Sequence, residues 1–454
     1  MKSIAEAAAI NVVAPRLLRR AVGAAALGNA MEWFDFGAYN YIAVTLGKVF
    51  FPAQDPAAQQ LSALVTFALA FLIRPVGAAF FGPLGDRIGR QRVLAATMLL
   101  MSAGTFSIGL IPSHQRIGIM APILLLLARL AQGFSTGGEY GGATTFIAEF
   151  APDKRRGFYG SWLEVGTCAG FALGAAVAAL LTGALNQDQL LSWGWRVPFL
   201  LAGPLGLIGL YIRLRLEETP AFRALGDRVV VRQGLRDILR TQARPLLLCV
   251  ALVVVFNVPD FIVLSYMPSY LAGTLHVAES RALLLSVLVL LVMMAAIPWA
   301  GALSDRIGRR PMVAACCVLF LALSVPCFLV IRTGSSAGIF GGMMVLGLAL
   351  TGFIGTMPST LPALFPTEIR YGALAIAYNI SISLFGATSL PINAWLVQVT
   401  GDTLVPAYYL MGTSAIGLIV VWFLRESAGQ ALPGSPPLIG ATPGAPVTKA
   451  SPIA

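Results

Sequence analysis

Apolar stretches of about twenty residues or more recur along the chain, separated mostly by short polar gaps. Each is long enough to cross the ~30 Å hydrocarbon core of a bilayer. Lipid offers no partner to a backbone N–H or C=O, so such stretches must be helices or the strands of a closed barrel. A barrel would alternate apolar and polar residues in segments of about ten, and no such alternation is present. Composition agrees. The chain is 57% hydrophobic and 11% charged, less than half the charged fraction of about 25% expected of a soluble domain. The sequence therefore predicts an all-α membrane protein.

Hydropathy places twelve transmembrane helices at 21–46, 61–84, 93–112, 119–150, 158–183, 197–216, 245–272, 281–303, 312–332, 337–364, 372–399 and 405–424. The long polar stretch 217–244 divides them into an N-terminal six-helix half (21–216) and a C-terminal half (245–424). Residues 1–20 precede the first helix, and the Pro- and Gly-rich tail 425–454 has a composition expected to be disordered. The first apolar run contains Glu32 and Asp35 and has no convincing cleavage site, so it is expected to be retained rather than cut as a signal peptide. Most of the 31 Lys and Arg fall in loops on one side; the loops on the other hold only Lys48, Arg116, Arg196, Arg281 and Arg332. That bias predicts that both termini and the 217–244 loop are cytoplasmic. It also accounts for the net charge of +11 without a nucleic-acid partner, because the basic residues form no continuous face.

An internal repeat sets the architecture. "GPLGDRIGRQRV" begins at Gly82 and "GALSDRIGRRPM" at Gly301, each after the second span of its half. "FAPDKRRG" and "LFPTEIRYG" echo each other after the fourth spans. Two echoes at nearly one offset imply duplication of a six-helix unit, and so two pseudo-symmetric halves. Paired repeats are how many secondary transporters are built, with the site near the midplane and access alternating as one half rocks on the other. Asp86 and Asp305 close spans and are placed to accept hydrogen bonds from neighbouring helix N-termini, whose dipoles favour anions. With Arg87, Arg90, Arg156, Arg309 and Arg370 they form the expected cytoplasmic gate. Gly85, Gly89 and Gly308 permit the tight turns.

Ionisable residues inside the spans mark the functional centre. On helix 1, Asn29, Glu32, Asp35, Phe36 and Tyr39 share roughly a third of the circumference. A charged acid at the bilayer centre costs about 2.5–3.5 kcal/mol, and intramembrane ionisable residues mark substrate or proton paths. Arg74, Arg129, Glu139, Glu164 and Asp260 lie at comparable depth in other spans. Acids thus outnumber arginines. His114 and His276 fall in outer loops, so carboxylates must carry any coupled proton; Glu32 and Asp35 come first, then Glu139. Arg74 and Arg129 can grip a carboxylate. Trp33, Tyr39, Tyr140, Trp162, Trp299 and Tyr378 suit a cation through their ring faces, and Asp260 and Asn379 complete the expected substrate site. No metal-ligand spacing, phosphate loop or catalytic triad is present, so no enzyme activity and no cofactor are expected. Cys168, Cys249, Cys316, Cys317 and Cys327 all lie in spans and are read as packing residues.

The stretches "GNAMEWFDFGAY", "FLIRPVGAAFFGPLGDRIGRQ", "RLAQGFSTGGEYGG", "RRGFYGSW", "SWGWRVPF", "LEETPAF", "YMPSYL" and "STLPALFPTEIRYGALAIAYNIS" resemble the metabolite:proton symporters of the major facilitator superfamily. The resemblance runs from about Gly28 to Glu426. It implies uptake of a small zwitterionic osmolyte, such as proline or glycine betaine, with a proton across the bacterial inner membrane; a functional monomer is expected. It assigns the site to Glu32, Asp35, Arg74, Arg129 and Glu139, and the gate to the loop at Gly82–Arg92. Two features depart from it. The tail has no heptads where osmosensing members often carry a coiled coil, and Asp260 stands where tyrosine is more usual. Two other readings stay open. The buried arginines also permit an organic acid such as a dicarboxylate, although the surplus of acids opposes a dianion. A sensor without transport would need a cytoplasmic output domain, which neither the central loop nor the tail resembles.

Overall fold

The computed structural model describes residues 11–13, 15–51, 55–88, 90–214, 241–367, 369–434 and 438–440. Twelve helical spans run through them. They are α1 Pro15–Tyr41, α2 Pro56–Phe81, α3 Arg90–Leu110, α4 Met120–Phe150, α5 Asp153–Ala184, α6 Val197–Leu214, α7 Ala243–Gly273, α8 Glu279–Ile307, α9 Arg309–Ile331, α10 Ser336–Thr360, α11 Arg370–Thr400 and α12 Val405–Phe423. Nine of them are long and apolar enough to cross a membrane by length and composition. The other three are α1, which carries Glu32 and Asp35, and α3 and α6, whose apolar windows Ala96–Leu110 and Gly194–Ile208 are short.

The duplication is visible in the packing. In the first half α1 packs on α5 and α6, α2 on α4, and α3 on α4 and α6. Adding six to each number gives the second half: α7 on α11 and α12, α8 on α10, and α9 on α10 and α12. The halves meet through α5 on α8, α2 and α4 on α11, and α1 on α7. At the α5–α8 crossing Gly157 and Gly301 face each other so closely that a Cβ on either would overlap the other's carbonyl oxygen. Only glycine admits that approach.

Prolines decide where the helices break and where the halves join. Pro75 has no N–H for the Phe71 carbonyl four residues earlier. The helix breaks at Ile73, and the freed Phe71 carbonyl accepts from the Ser383 hydroxyl of α11. Pro268 leaves the Leu264 carbonyl free in the same way, and the Tyr41 hydroxyl of α1 donates to it at 2.9 Å. Beside that contact the Asn40 amide donates to the Ser265 carbonyl. Each of these bonds crosses from one half to the other.

The face bearing the repeat loops is closed as well. Asp305 accepts from the N–H groups of Gly157 and Phe158 at 2.8 and 2.9 Å, so the hydrogen bonding expected of this residue is found at the α5 N-terminus. Arg309 lies one turn on, 3.8 Å from the same carboxylate. Arg370 of α11 pairs with Glu149 of α4 at 2.7 Å, and Arg156 pairs with Asp153. The side chains of Asp86, Arg87 and Arg90 lie outside the described residues, as does nearly all of the 217–244 loop.

The tail corrects one expectation. Residues 425–434, expected to be disordered, form a strap over this face. Glu426 accepts from the N–H groups of Arg309 and Arg310 at the start of α9. The Arg156 guanidinium donates to the Gln430 carbonyl at 2.9 Å, and the Arg370 guanidinium donates to that of Pro433 at 2.6 Å. The strap is held because three buried arginines have donors to spare after their carboxylates are met. Gly308, at φ +103°, turns the chain against the Glu426 carboxylate. Farther along, Leu438–Gly440 pairs in parallel with Asn11–Val13, a two-stranded contact that hydropathy did not foresee.

Candidate functional site

The ionisable side chains of the spans are buried inside the bundle, six in the first half and Asp260 in the second. Glu32, Asp35, Arg74, Arg129, Glu139, Glu164 and Asp260 are all buried. Arg74 stands at the first residue after the Ile73 break. Its Nη2 lies 3.2 Å from Glu32 Oε1, and its guanidinium lies over the rings of Phe71 and Phe36, 4.3 and 4.6 Å from their centroids. The helix break therefore sets the position of the charge, and the rings offset part of its desolvation.

Arg129 occupies a second aromatic pocket, with its guanidinium 4.3 Å from the Tyr39 ring centroid and 5.1 Å from that of Phe67. A polar chain links it to Asp35. Arg129 donates to the Gln132 side-chain carbonyl, the Gln132 amide donates to Thr105 Oγ1 at 2.8 Å, and the Thr105 hydroxyl donates to Asp35 at 3.0 Å. Glu139 accepts from the Thr97 hydroxyl at 2.9 Å. The two arginines thus sit in different company. Arg74 is in a direct ion pair, while Arg129 meets its acid through two neutral side chains.

A third group spans the interface. Tyr140 of α4 stacks on Tyr378 of α11, with ring centroids 4.0 Å apart and planes 11° apart. The Tyr140 hydroxyl donates to Glu164 at 2.6 Å. The Tyr378 hydroxyl lies in electrostatic reach of Glu164, Arg74, Asp260 and Glu32. Asn379, the next residue, donates to the Gly137 carbonyl, where α4 passes through a 3-10 turn at Thr136–Gly138. Two π-helical segments support this region, Phe261–Tyr266 directly after Asp260 and Ile382–Gly386 just after Asn379. Such segments re-aim side chains and recur at functional sites.

Most of the residues expected at the site are therefore together. Trp33 and Tyr39 are buried with them, but they line it with their rings: Trp33 packs on Phe171 and Phe36, and the Tyr39 hydroxyl donates to the Ala63 carbonyl. Trp162 and Trp299 lie elsewhere. They are 39% and 78% exposed on α5 and α8, so neither is packed among the buried ionisable groups. The sequence reading left out Thr97, Thr105 and Gln132, the partners that complete the acid and arginine shells. Gln132 carried a usable signal, since it stands one turn after Arg129 on the same face. The π segments carried none that hydropathy can detect.

Comparison with known proteins places this arrangement. The family pattern described as "Sugar (and other) transporter" matches residues 21–233, and that of the "Major Facilitator Superfamily" matches residues 253–449. The glycine betaine/proline/ectoine/pipecolic acid transporter OusA of Dickeya dadantii is 50% identical over 96% of this chain and 88% of its own. The chain belongs to the major facilitator superfamily. Within it, the proline/betaine transporter of Salmonella typhimurium is 49% identical over the same shares. The ectoine/proline transporter ProP of Corynebacterium glutamicum is 42% identical over 95% of this chain and 88% of its own. The superfamily fold is shared with the proton:xylose symporter XylE bound to 6-bromo-6-deoxy-D-glucose, at a TM-score of 0.73, 18% identity, and 91% and 97% coverage of the two chains. The protein is thus a facilitator-fold transporter and not an enzyme.

Proposed function

We propose that this transporter is a proton-coupled symporter that takes up zwitterionic compatible solutes, such as proline and glycine betaine, by alternating access. The observation that carries the reading is the buried Arg74–Glu32 ion pair, at 3.2 Å, beside the Tyr140–Tyr378 stack. A substrate carboxylate needs Arg74, and Glu32 competes for it. Protonation of Glu32 removes the competitor, so proton and carboxylate bind cooperatively. By linkage, each then raises the affinity for the other by the same factor. The substrate's ammonium end is left to the tyrosine faces. Asp35, tied to Arg129 through Thr105 and Gln132, supplies a second protonatable group in the same half.

Hydrogen bonds and an ion pair join the halves at two levels of the bundle. Transport requires them to break alternately: Tyr41–Leu264 and Asn40–Ser265 on one face, Asp305–α5 and Arg370–Glu149 on the other. The charge bias of the loops supports placing the strap face in the cytoplasm of a bacterial cell, with both termini there. The driving force is adequate. One charge crossing 100 mV yields about 2.3 kcal/mol, or roughly fifty-fold accumulation of a neutral solute at 1.36 kcal/mol per factor of ten.

The test is uptake of labelled proline by proteoliposomes of purified protein under an imposed pH gradient, acid outside. Accumulation that collapses with a protonophore and is competed by betaine, but not by α-ketoglutarate, is expected. Uptake that needs a sodium gradient, or that α-ketoglutarate competes better than betaine, would overturn the reading.

A further inference from the structure

Trp33 is 3% exposed, and its indole N–H has no hydrogen-bond partner among the described residues. Its ring is already engaged. Phe171 and Phe36 lie with their centroids 5.1 and 6.0 Å away, and Phe261 of the second half meets it edge-on at 6.2 Å. What Trp33 still has to offer is the N–H. Arg74 is its neighbour, with the guanidinium carbon 6.0 Å from the Trp33 centroid and 4.6 Å from that of Phe36. Arg74 also has a donor to spare. Its Nε and Nη2 form one edge of the guanidinium, and such an edge can grip a carboxylate through two parallel bonds. Glu32 meets the Nη2 prong at 3.2 Å, while the Nε prong has no partner among the described residues. Arg74 lies over Phe71, which also touches Phe261, so both donors stand where the first half meets the second. Buried donors are ordinarily met, because an unmet one carries its full desolvation cost. Two on adjoining side chains mark the place of an acceptor that arrives with the solute.

Resting on the reading of the chain as a zwitterion carrier, we propose that the Trp33 indole N–H is a third donor to the solute carboxylate, completing a clamp with Nε and Nη2 of Arg74. Trp33 then reads the anionic end of the solute, not the ammonium end that its ring suits. Protonation of Glu32 frees the Nη2 prong, and the incoming carboxylate takes both prongs. An ionised carboxylate has about four lone-pair sites on its two oxygens, so the guanidinium edge leaves room for a further donor. The indole N–H donates and cannot accept, and therefore favours an anion and gives nothing to an ammonium. A solute lacking the carboxylate leaves all three donors unmet, the situation in which a polar site rejects an analogue.

The experiment is equilibrium binding of labelled glycine betaine to purified full-length protein, wild type and Trp33→Phe. The substitution keeps an aromatic ring and removes the N–H. Betaine affinity in the variant is expected to fall about tenfold or more, the scale of a hydrogen bond to a charged group. Magnetic resonance of protein isotope-labelled at the indole nitrogens supplies a readout that a packing role would not move. The Trp33 N–H proton signal, identified as the one missing from Trp33→Phe, should shift downfield on saturation with betaine, as a proton does on entering a hydrogen bond to an anion. Melting temperature and a monodisperse elution profile report folding. Unchanged betaine affinity in folded Trp33→Phe, or a Trp33 signal that betaine leaves in place, overturns the inference and leaves the carrier reading standing. A wild-type spectrum in which betaine moves no indole signal downfield overturns it whether or not the variant folds. Failure of wild-type protein to bind either betaine or proline would remove the carrier reading and this inference together.

Discussion

Tyr140 and Tyr378 lie face to face at 4.0 Å between centroids, one from each half of the molecule. The stack is a joint between halves and also a floor for a solute cation. Replacing Tyr378 by leucine removes one face but keeps an apolar side chain of similar length. A cation on a ring face is worth about 0.5–2 kcal/mol, so betaine binding should weaken roughly two- to thirty-fold at 1.36 kcal/mol per decade. Tyr378→Phe should cost far less. Titration of labelled betaine on the purified variants measures both, and wild-type affinity in Tyr378→Leu would show that the ring face does not hold the cation.

Glu32 and Asp35 carry the coupling in the scheme above, and the two can be separated. Glu32→Gln leaves Arg74 without its anionic partner, so substrate should bind without a proton. Solute counterflow between the two sides should then survive while gradient-driven accumulation is lost. Asp35→Asn keeps the Thr105 contact and should also abolish accumulation. Counterflow and accumulation measured on the same proteoliposomes test the separation. Proton-driven accumulation at the wild-type level by either variant removes that residue from the coupling role.

Much of this centre was legible because membrane insertion makes each polar residue conspicuous. Glu32, Asp35, Arg74, Arg129, Glu139 and Asp260 stood out against apolar runs, and the "DRIGR" repeat gave the two-half plan. Which aromatic residues faced inward was less legible. Trp33 and Trp299 are alike in hydropathy, and only the rotation of α1 and α8 in the bundle buries one and exposes the other. The strap was missed for a different reason. Its composition reads as disordered, yet the order comes from carbonyls that meet arginine donors far away in sequence, as with Gln430 on Arg156.

The Arg370–Glu149 pair tests the gate. It joins α11 to α4 at 2.7 Å, and Arg370 also donates to the Pro362 and Phe365 carbonyls. Glu149→Gln weakens the link between halves but leaves those local bonds in place. The variant should shift toward the state open on the strap face. Labelling of single cysteines introduced along that side of the central site should become at least several-fold faster than in wild type. Unaltered labelling would mean that the pair is incidental to closure.

Glu426 gives the strap a defined response to acid. Burial alone would raise its carboxyl, but N–H donors from Arg309, Arg310, Ser427 and Ala428 outweigh that and hold it below the usual glutamate value. A carboxyl whose folded value is depressed contributes stability that is fully present above its unfolded value of about 4.3, and that is lost as pH falls through the folded one. The strap should therefore stay docked from neutral pH down to the free glutamate value of about 4.3 and loosen progressively as pH falls below it. Glu426→Gln should loosen it at every pH, because an amide offers one acceptor oxygen where the carboxylate offers two. Amide hydrogen exchange across residues 425–434 is the measurement. Protection in Glu426→Gln equal to wild type at neutral pH would show that the arginine-to-carbonyl bonds at Gln430 and Pro433 hold the strap without the acid.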